Sequence, residues 1–383
     1  MPDDARLAEA KRLDLLQVAD RLDILKGLRP AGAERVGPCP VCGGRDRFGL
    51  NPGEGVYNCR QCGGGDSISL VQLVLGLDFR GALDWMVGAT VAEVSPEEQA
   101  RRAAAEAEAE AARQRESDRR RAAAVARARA IWKRGVPAEG TPVRAYLAAR
   151  GLTPERLPRL PAALRFQPDL PYMVADDAGG WREIHRGPAM LAAIQGPDGR
   201  FAGVHRTWID PDRPGKKISL HRDGVALPAK KVEGSKKGGA IRLIGPRPGA
   251  WATLIMGEGI ETTLSAVVTG LPGAAYWAGV DLGNMAGRRL TTRMQARAAG
   301  LPEDGIRTAG FPDLSDAAAF VPPPGTRRLV FLQDGDSDPD LTRAKLLAGL
   351  RRARARVPGL ERTEIVAAPR GCDLNDLLTE ANV

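Results

Sequence analysis

Arg327–Leu341 reads RRLVFLQDGDSDPDL. Leu329 to Leu332 is an apolar run too short for a helix of its own and suited to a buried strand. It stops at Gln333-Asp334-Gly335-Asp336, which sets two carboxylates at the carboxyl end of that strand. Open α/β sheets keep their chemistry at this edge. Upstream, Trp251–Met256 is a second apolar run and ends in Gly257-Glu258-Gly259. A third, Thr363–Ala367, leads through Pro369 and Gly371 to Asp373-Leu374-Asn375-Asp376. Acids after strands also serve as helix caps and turn residues. Three such clusters, each closing a strand, point instead to a shared hard divalent cation, magnesium or manganese. An EF-hand loop is excluded: Pro339 stands where its glycine is needed, and Lys345 where its closing glutamate belongs.

Working outward, residues 251–383 alternate strand and helix, the pattern of a mostly parallel sheet with helices on both faces. The chain has 383 residues, enough for several domains. It carries 56 Lys+Arg against 47 Asp+Glu, a net charge of +9 that suits a polyanionic partner. The charged first residues lack the apolar core of a signal peptide, and no apolar run could span a bilayer. The expectation is a cytoplasmic protein whose thiols stay reduced. Four of its five cysteines, Cys39, Cys42, Cys59 and Cys62, fall in the spacing C-x2-C-x16-C-x2-C. That is a four-thiolate, structural zinc site with no open position for catalysis. The insert reads as a small antiparallel sheet carrying Arg45, Arg47, Phe48, Tyr57 and Arg60. Cations interleaved with aromatics suit single-stranded nucleic acid, although Phe48 and Tyr57 can equally pack the ribbon's small core.

Asp66 opens a helix after three glycines, and a second amphipathic helix covers Phe79–Val87. Residues 95–134 are almost wholly Ala, Glu and Arg, a long charged helical spacer. Residues 135–250 are mixed α+β, with a hairpin turned by Gly196-Pro197-Asp198-Gly199. On this segment Arg206, Lys216, Lys217, Lys230, Lys231, Lys236 and Lys237 are candidates for holding triphosphate or template phosphates. The domain expectation is a zinc ribbon over 1–94, a spacer over 95–134, a middle region over 135–250 and a catalytic α/β domain over 251–383.

Pro38–Asp66 followed by SISLVQLVLG resembles the zinc-binding domain of bacterial and phage DNA primases in its four-cysteine phage and plasmid form. Residues 251–376 resemble a Toprim domain, through Glu258 in MGEGIE, Asp334 and Asp336 in the Asp-x-Asp, and Asp373 and Asp376 in GCDLND. The middle motifs AYLAARGL, PAMLAAI, GVHRTWI and GAIRLIG are similar to the region preceding Toprim in prophage and plasmid primase-like proteins. The resemblance implies RNA primer synthesis on a single-stranded DNA template from ribonucleoside triphosphates during DNA replication. Glu258 would be the general acid/base or a metal-adjacent carboxylate; Asp334 and Asp336 would bind the catalytic magnesium, and Asp373 a second metal. Thr262 stands where the family usually has aspartate, with Glu261 one residue earlier as a substitute ligand. No Walker A motif follows, so the expected replicative helicase is a separate partner. Two other readings use the same features: a Toprim nuclease or topoisomerase-like strand-cleaving enzyme, and a non-catalytic single-strand binding protein of a mobile element.

Overall fold

The computed structural model describes residues 5–88, 96–176, 179–245, 252–335, 338–369, 371–372 and 374–380, with no side-chain description at 5, 96–99 and 379–380. Asp336 and Asp373 lie outside the described residues. The chain divides into two units, Met1–Arg113 and Gln114–Val383, with the division inside the helix Pro96–Arg134.

The first unit is built on five antiparallel strands in sequence order, Arg29–Ala31, Glu34–Cys39, Gly43–Asn51, Val56–Cys59 and Gly63–Gly65. Strand alternation turns Phe48 and Leu50 inward on one strand and Tyr57 and Cys59 inward on the next. These side chains close on Leu15, Leu28 and Leu70 as one small core. Asp66 starts the helix Ser67–Leu75 by accepting from the Ser69 amide, and Asp78 does the same for Phe79–Val87 through Gly81.

In the second unit the strands Lys230–Gly234, Phe201–Trp208, Trp181–Gln195, Leu164–Ala175 and Val136–Pro137 form an antiparallel sheet in that order. One face packs Tyr172, Leu191 and Trp208 beneath Ala128, Ile131 and Trp132 of the long helix. The other presents Met190, Ala192 and Ile194 to the helix Pro142–Ala148 and to the next sheet. The strand Leu164–Ala175 is much longer than the sequence suggests. Pro168 and Pro171 disguise it, and register shifts around Gln167/Leu170 and Tyr172/Met173 accommodate the missing donors.

The carboxyl-terminal sheet runs Ile241–Ile244, Ala275–Ala278, Thr253–Gly257, Arg328–Gln333, Arg362–Ala367. All neighbours are parallel except the first pair, which is antiparallel. The sheet is therefore mixed, and its edge strand comes from the stretch assigned by sequence to the middle region. Leu329 and Phe331 face the helix Pro339–Arg356, while Val330 and Leu332 join the cluster that includes Ala266 of the helix Ile260–Thr269. Helices thus cover both faces, and the near-continuous apolar strands follow from burial on both sides. Among the described residues no helix is long and apolar enough to cross a membrane.

Candidate functional site

In the first unit the Sγ atoms of Cys39, Cys42, Cys59 and Cys62 all lie within 4.8 Å of one another. The Cys39–Cys62 and Cys42–Cys59 pairs are 3.9 and 3.6 Å apart. A tetrahedral zinc with bonds of about 2.3 Å needs sulfurs about 3.8 Å apart, so the cage fits that ion. The amides of Val41, Gln61 and Cys62 point at the sulfurs from 3.4 to 3.5 Å and offset thiolate charge. Burial raises the Cys62 thiol. At Cys42 burial acts the same way but is outweighed by hydrogen bonds from Cys62, Cys39, Cys59 and Arg47, which bring it down to about 7. Arg47 is thus folded onto the knuckle, where it also donates to Gln61 Oε1 at 2.7 Å. Phe48 must be corrected as a stacking platform. It is fully buried against Tyr57, because its place on the strand points into the ribbon's core. Arg45 is exposed, and Arg60 is tied to Asp46.

In the second unit the four parallel strands end on one edge. Gly257 admits no side chain, since a Cβ there would lie 2.7 Å from Thr263 Oγ1. Glu258 follows, half-buried. Asp334, also half-buried, accepts from Thr262 Oγ1 at 3.2 Å through both carboxylate oxygens. Gly335 exchanges backbone hydrogen bonds with the neighbouring loop, Gly335 N to Cys372 O and Gly371 N to Gly335 O, each 2.9 Å. The two acidic loops are therefore locked side by side. Val280, a β-branched residue with φ 75°, adds backbone strain after the strand Ala275–Ala278 at this edge. Asp338 is a helix cap, accepting from the Asp340 and Leu341 amides at 3.1 Å. Asp376 is exposed in the first turn of the helix Leu374–Glu380, and Asn375 is buried against Arg150. Among the described residues the four cysteines are the one group of three or more potential ligands that converge.

Glu261 does not join the carboxylates. One residue along a helix turns a side chain by about 100°, which aims Thr262 at Asp334 and Glu261 elsewhere. Glu261 is 5% exposed, accepts from Tyr146 Oη at 2.6 Å and pairs with Lys217 at 3.2 Å and Lys230 at 3.8 Å. Burial pushes its pKa up, but Lys230, Lys217 and Tyr146 outweigh that and hold it far below the usual carboxylate range. The carboxylate stays ionised, and two ammonium groups are fixed beside it. Burial lowers Lys217, with Glu261 opposing. The basic candidates are thereby sorted. Lys231 pairs with Arg206 and Lys230 with Thr207 in strand register, so Lys230 faces Glu261 while Lys231 and Arg206 face the opposite side. Lys216 and Lys237 are exposed, and Lys236 pairs with Asp281. Tyr146 was not singled out by the sequence, where it is one more apolar position in a short helix; nothing local marks a contact 115 residues away.

His205, buried under the same cluster, is lowered to about 4 from 6.5 by burial, with Lys230 adding to the effect. Between these values the unfolded chain takes up a proton that the folded one refuses, so stability falls as pH drops from 6.5 towards 4. The expected loss is about 3 kcal/mol. Denaturant unfolding across pH 5 to 7, conditions chosen to lie above carboxylate titration (about pH 4), reads about 2 kcal/mol of it. His205→Gln should flatten that slope; an unaltered slope would show that another group causes it.

Residues 34–68 match the zinc-binding domain of primase-helicase, and residues 122–243 match a domain of unknown function, DUF7146. Among solved structures the chain is similar to the zinc-binding and RNA polymerase domains of the Aquifex aeolicus primase. That likeness has 16% identity over 99% of this chain and 83% of the other, with a TM-score of 0.30. The E. coli primase catalytic core matches at 18% identity, 62% of this chain and 69% of the other, TM-score 0.33. The RNA polymerase domain of Mycobacterium tuberculosis primase DnaG matches at 15% identity, 68% and 79%, TM-score 0.34. Likenesses at such scores carry no conclusion about chemistry. The chain is primase-like on the strength of its primase-helicase zinc-binding domain and the four-cysteine site inside it.

Proposed function

We propose that this protein is a DNA primase, making short RNA primers on single-stranded DNA by nucleotidyl transfer. One arrangement supports the reading above all others. The first turn of the helix Ile260–Thr269 sets Thr262 against Asp334 on one side and Glu261 against Lys217 and Lys230 on another. Carboxylates for a hard cation and ammonium groups for phosphates thus meet at one sheet edge, as in a Toprim site.

The donor set at the edge is all oxygen, and Asp334 is braced by a hydroxyl, which fits magnesium or manganese. Glu258, Asp334 and Asp336 would hold the first ion, and Asp373 with Asp376 would support a second; ions held there would supply Lewis-acid activation of the 3′-hydroxyl and charge neutralisation for the triphosphate. Lys217 and Lys230 neutralise phosphate charge as it develops. Glu261, pinned by Tyr146, holds both lysine side chains in place. Zinc is structural: the four thiolates hold the ribbon that presents Arg45 and Arg60 to the template. The enzyme works in the cytoplasm with a replicative helicase as its partner.

A topoisomerase needs a reachable tyrosine nucleophile. All four tyrosines, Tyr57, Tyr146, Tyr172 and Tyr276, are 5% exposed or less. Incubation with single-stranded DNA, magnesium and labelled ribonucleotides tests the proposal, and labelled primers are the expected product. Template breakage would make the protein a nuclease, and binding without chemistry would make it a single-strand binding protein. Either result overturns the primase reading.

A further inference from the structure

We propose that the second unit carries a separate binding site for a nucleoside phosphate, in the cavity between the long helix and the outer face of the antiparallel sheet. The inference does not rest on the primase reading. The cavity has a volume of about 790 Å³, within the usual range for ligand pockets. Its wall carries four cations, Arg127, Arg134, Arg206 and Lys231, against one carboxylate, Glu233. Glu233 already binds Arg127 at 2.9 Å and reaches Arg206 only at 3.7 Å, so one acid is shared between two guanidinium groups. The balance favours an anion.

The site is also built from buried groups. Arg206 is 8% exposed, and its Nε has no hydrogen-bond partner among the described residues. Gln167, 7% exposed, lines the same cavity with an unpartnered Oε1. A buried polar atom left unmatched carries a standing cost that a bound ligand removes. The cations are held in place before any ligand arrives. Lys231 donates to the Met173 carbonyl at 2.6 Å and lies 4.1 Å over the Tyr172 ring, and Arg206 lies 5.4 Å over Trp208. Guanidinium forks and an ammonium group recognise phosphate oxygens.

The ligand's other half is read from Trp181. Its indole is 70% exposed at the rim, beside the apolar side chains of Leu170 and Met173. A large exposed aromatic next to a cationic pocket offers a stacking platform for a base. Anion and flat aromatic together define a nucleotide unit, either free or at the end of a strand. Strand alternation explains how one pair of strands serves two sites. Arg206 and Lys231 lie on the outer face, whereas His205 and Lys230 lie on the face towards Glu261.

The test is calorimetric titration of the full chain in magnesium-free buffer with GTP, inorganic tripolyphosphate and a 5′-phosphorylated trinucleotide. GTP is expected to bind. Trp181→Ala, an exposed change that leaves the fold intact, should weaken GTP about tenfold and leave tripolyphosphate unchanged. Lys231→Ala and Arg206→Gln should weaken both, and Arg200→Ala, in the exposed turn beside Asp198, should weaken neither. Whichever of GTP and the trinucleotide binds more tightly identifies the source of the nucleotide unit. GTP binding insensitive to Trp181→Ala, or sensitive to Arg200→Ala but not Lys231→Ala, would overturn the proposal. None of these readouts involves primer synthesis, so failure of the primase reading leaves the test intact.

Discussion

Asp334→Ala is expected to abolish primer synthesis while leaving the fold and template binding in place. Asp334 follows the strand Arg328–Gln333, which sits inside the parallel sheet with neighbours on both sides. Its carboxylate is half-buried, and backbone hydrogen bonds between Gly335 and the loop at Cys372 leave little freedom to compensate for its loss. Alanine removes a charged ligand and no core volume. The structural cost is the unpaired Thr262 hydroxyl, about 1 kcal/mol. The catalytic cost is the stabilisation that a bound cation gives the reacting phosphate, several kcal/mol, or roughly a thousandfold in rate. Labelled-ribonucleotide incorporation, read beside thermal unfolding, separates the two. A variant that still primes at the parent rate would remove Asp334 from the metal site. Thr262→Val, which deletes the brace and keeps the ligand, should give a smaller loss.

The elements bearing these residues were legible because each is written in local chemistry. The run Leu329–Leu332 could only be a buried strand, and the structure places it between two parallel neighbours. Asp66 announced its helix, and the two Cys-x-x-Cys turns announced their cage. What stayed hidden depends on which way side chains point once distant segments meet. The sequence shows Lys230-Lys231 as one basic pair, but a strand sends them to opposite faces, one to Glu261 and one to Arg206. Glu261 looked like a spare ligand until the helix turned it onto Tyr146 and two lysines. Phe48 looked available for stacking because the sequence does not record which face of the ribbon is inside. The edge strand Ile241–Ile244 was placed with the middle region for a similar reason: three apolar residues around Arg242 do not state their partner.

Removal of zinc should unfold the ribbon within the intact chain and leave the carboxyl-terminal sheet untouched. Two of the four ligands, Cys39 and Cys59, are themselves core residues, 3% and 1% exposed, beside Phe48, Leu50, Tyr57 and Leu70. A core of this size cannot hold a five-stranded sheet whose first and last strands have only three residues each. Structural zinc contributes on the order of 10 kcal/mol to such folds, more than the remaining apolar contacts supply. Without it, thiols gathered within 4.8 Å in a buried setting lose the ion that justifies their closeness. Chelation, or Cys59→Ser, should therefore strip amide protection from Phe48, Leu50 and Tyr57 in hydrogen exchange, while Leu329–Leu332 keep theirs. Selection among single-stranded templates should weaken with the ribbon, because Arg45 and Arg60 lose their frame. Full protection of the ribbon amides in metal-free protein would mean that the thiols are packing residues and the zinc assignment is wrong.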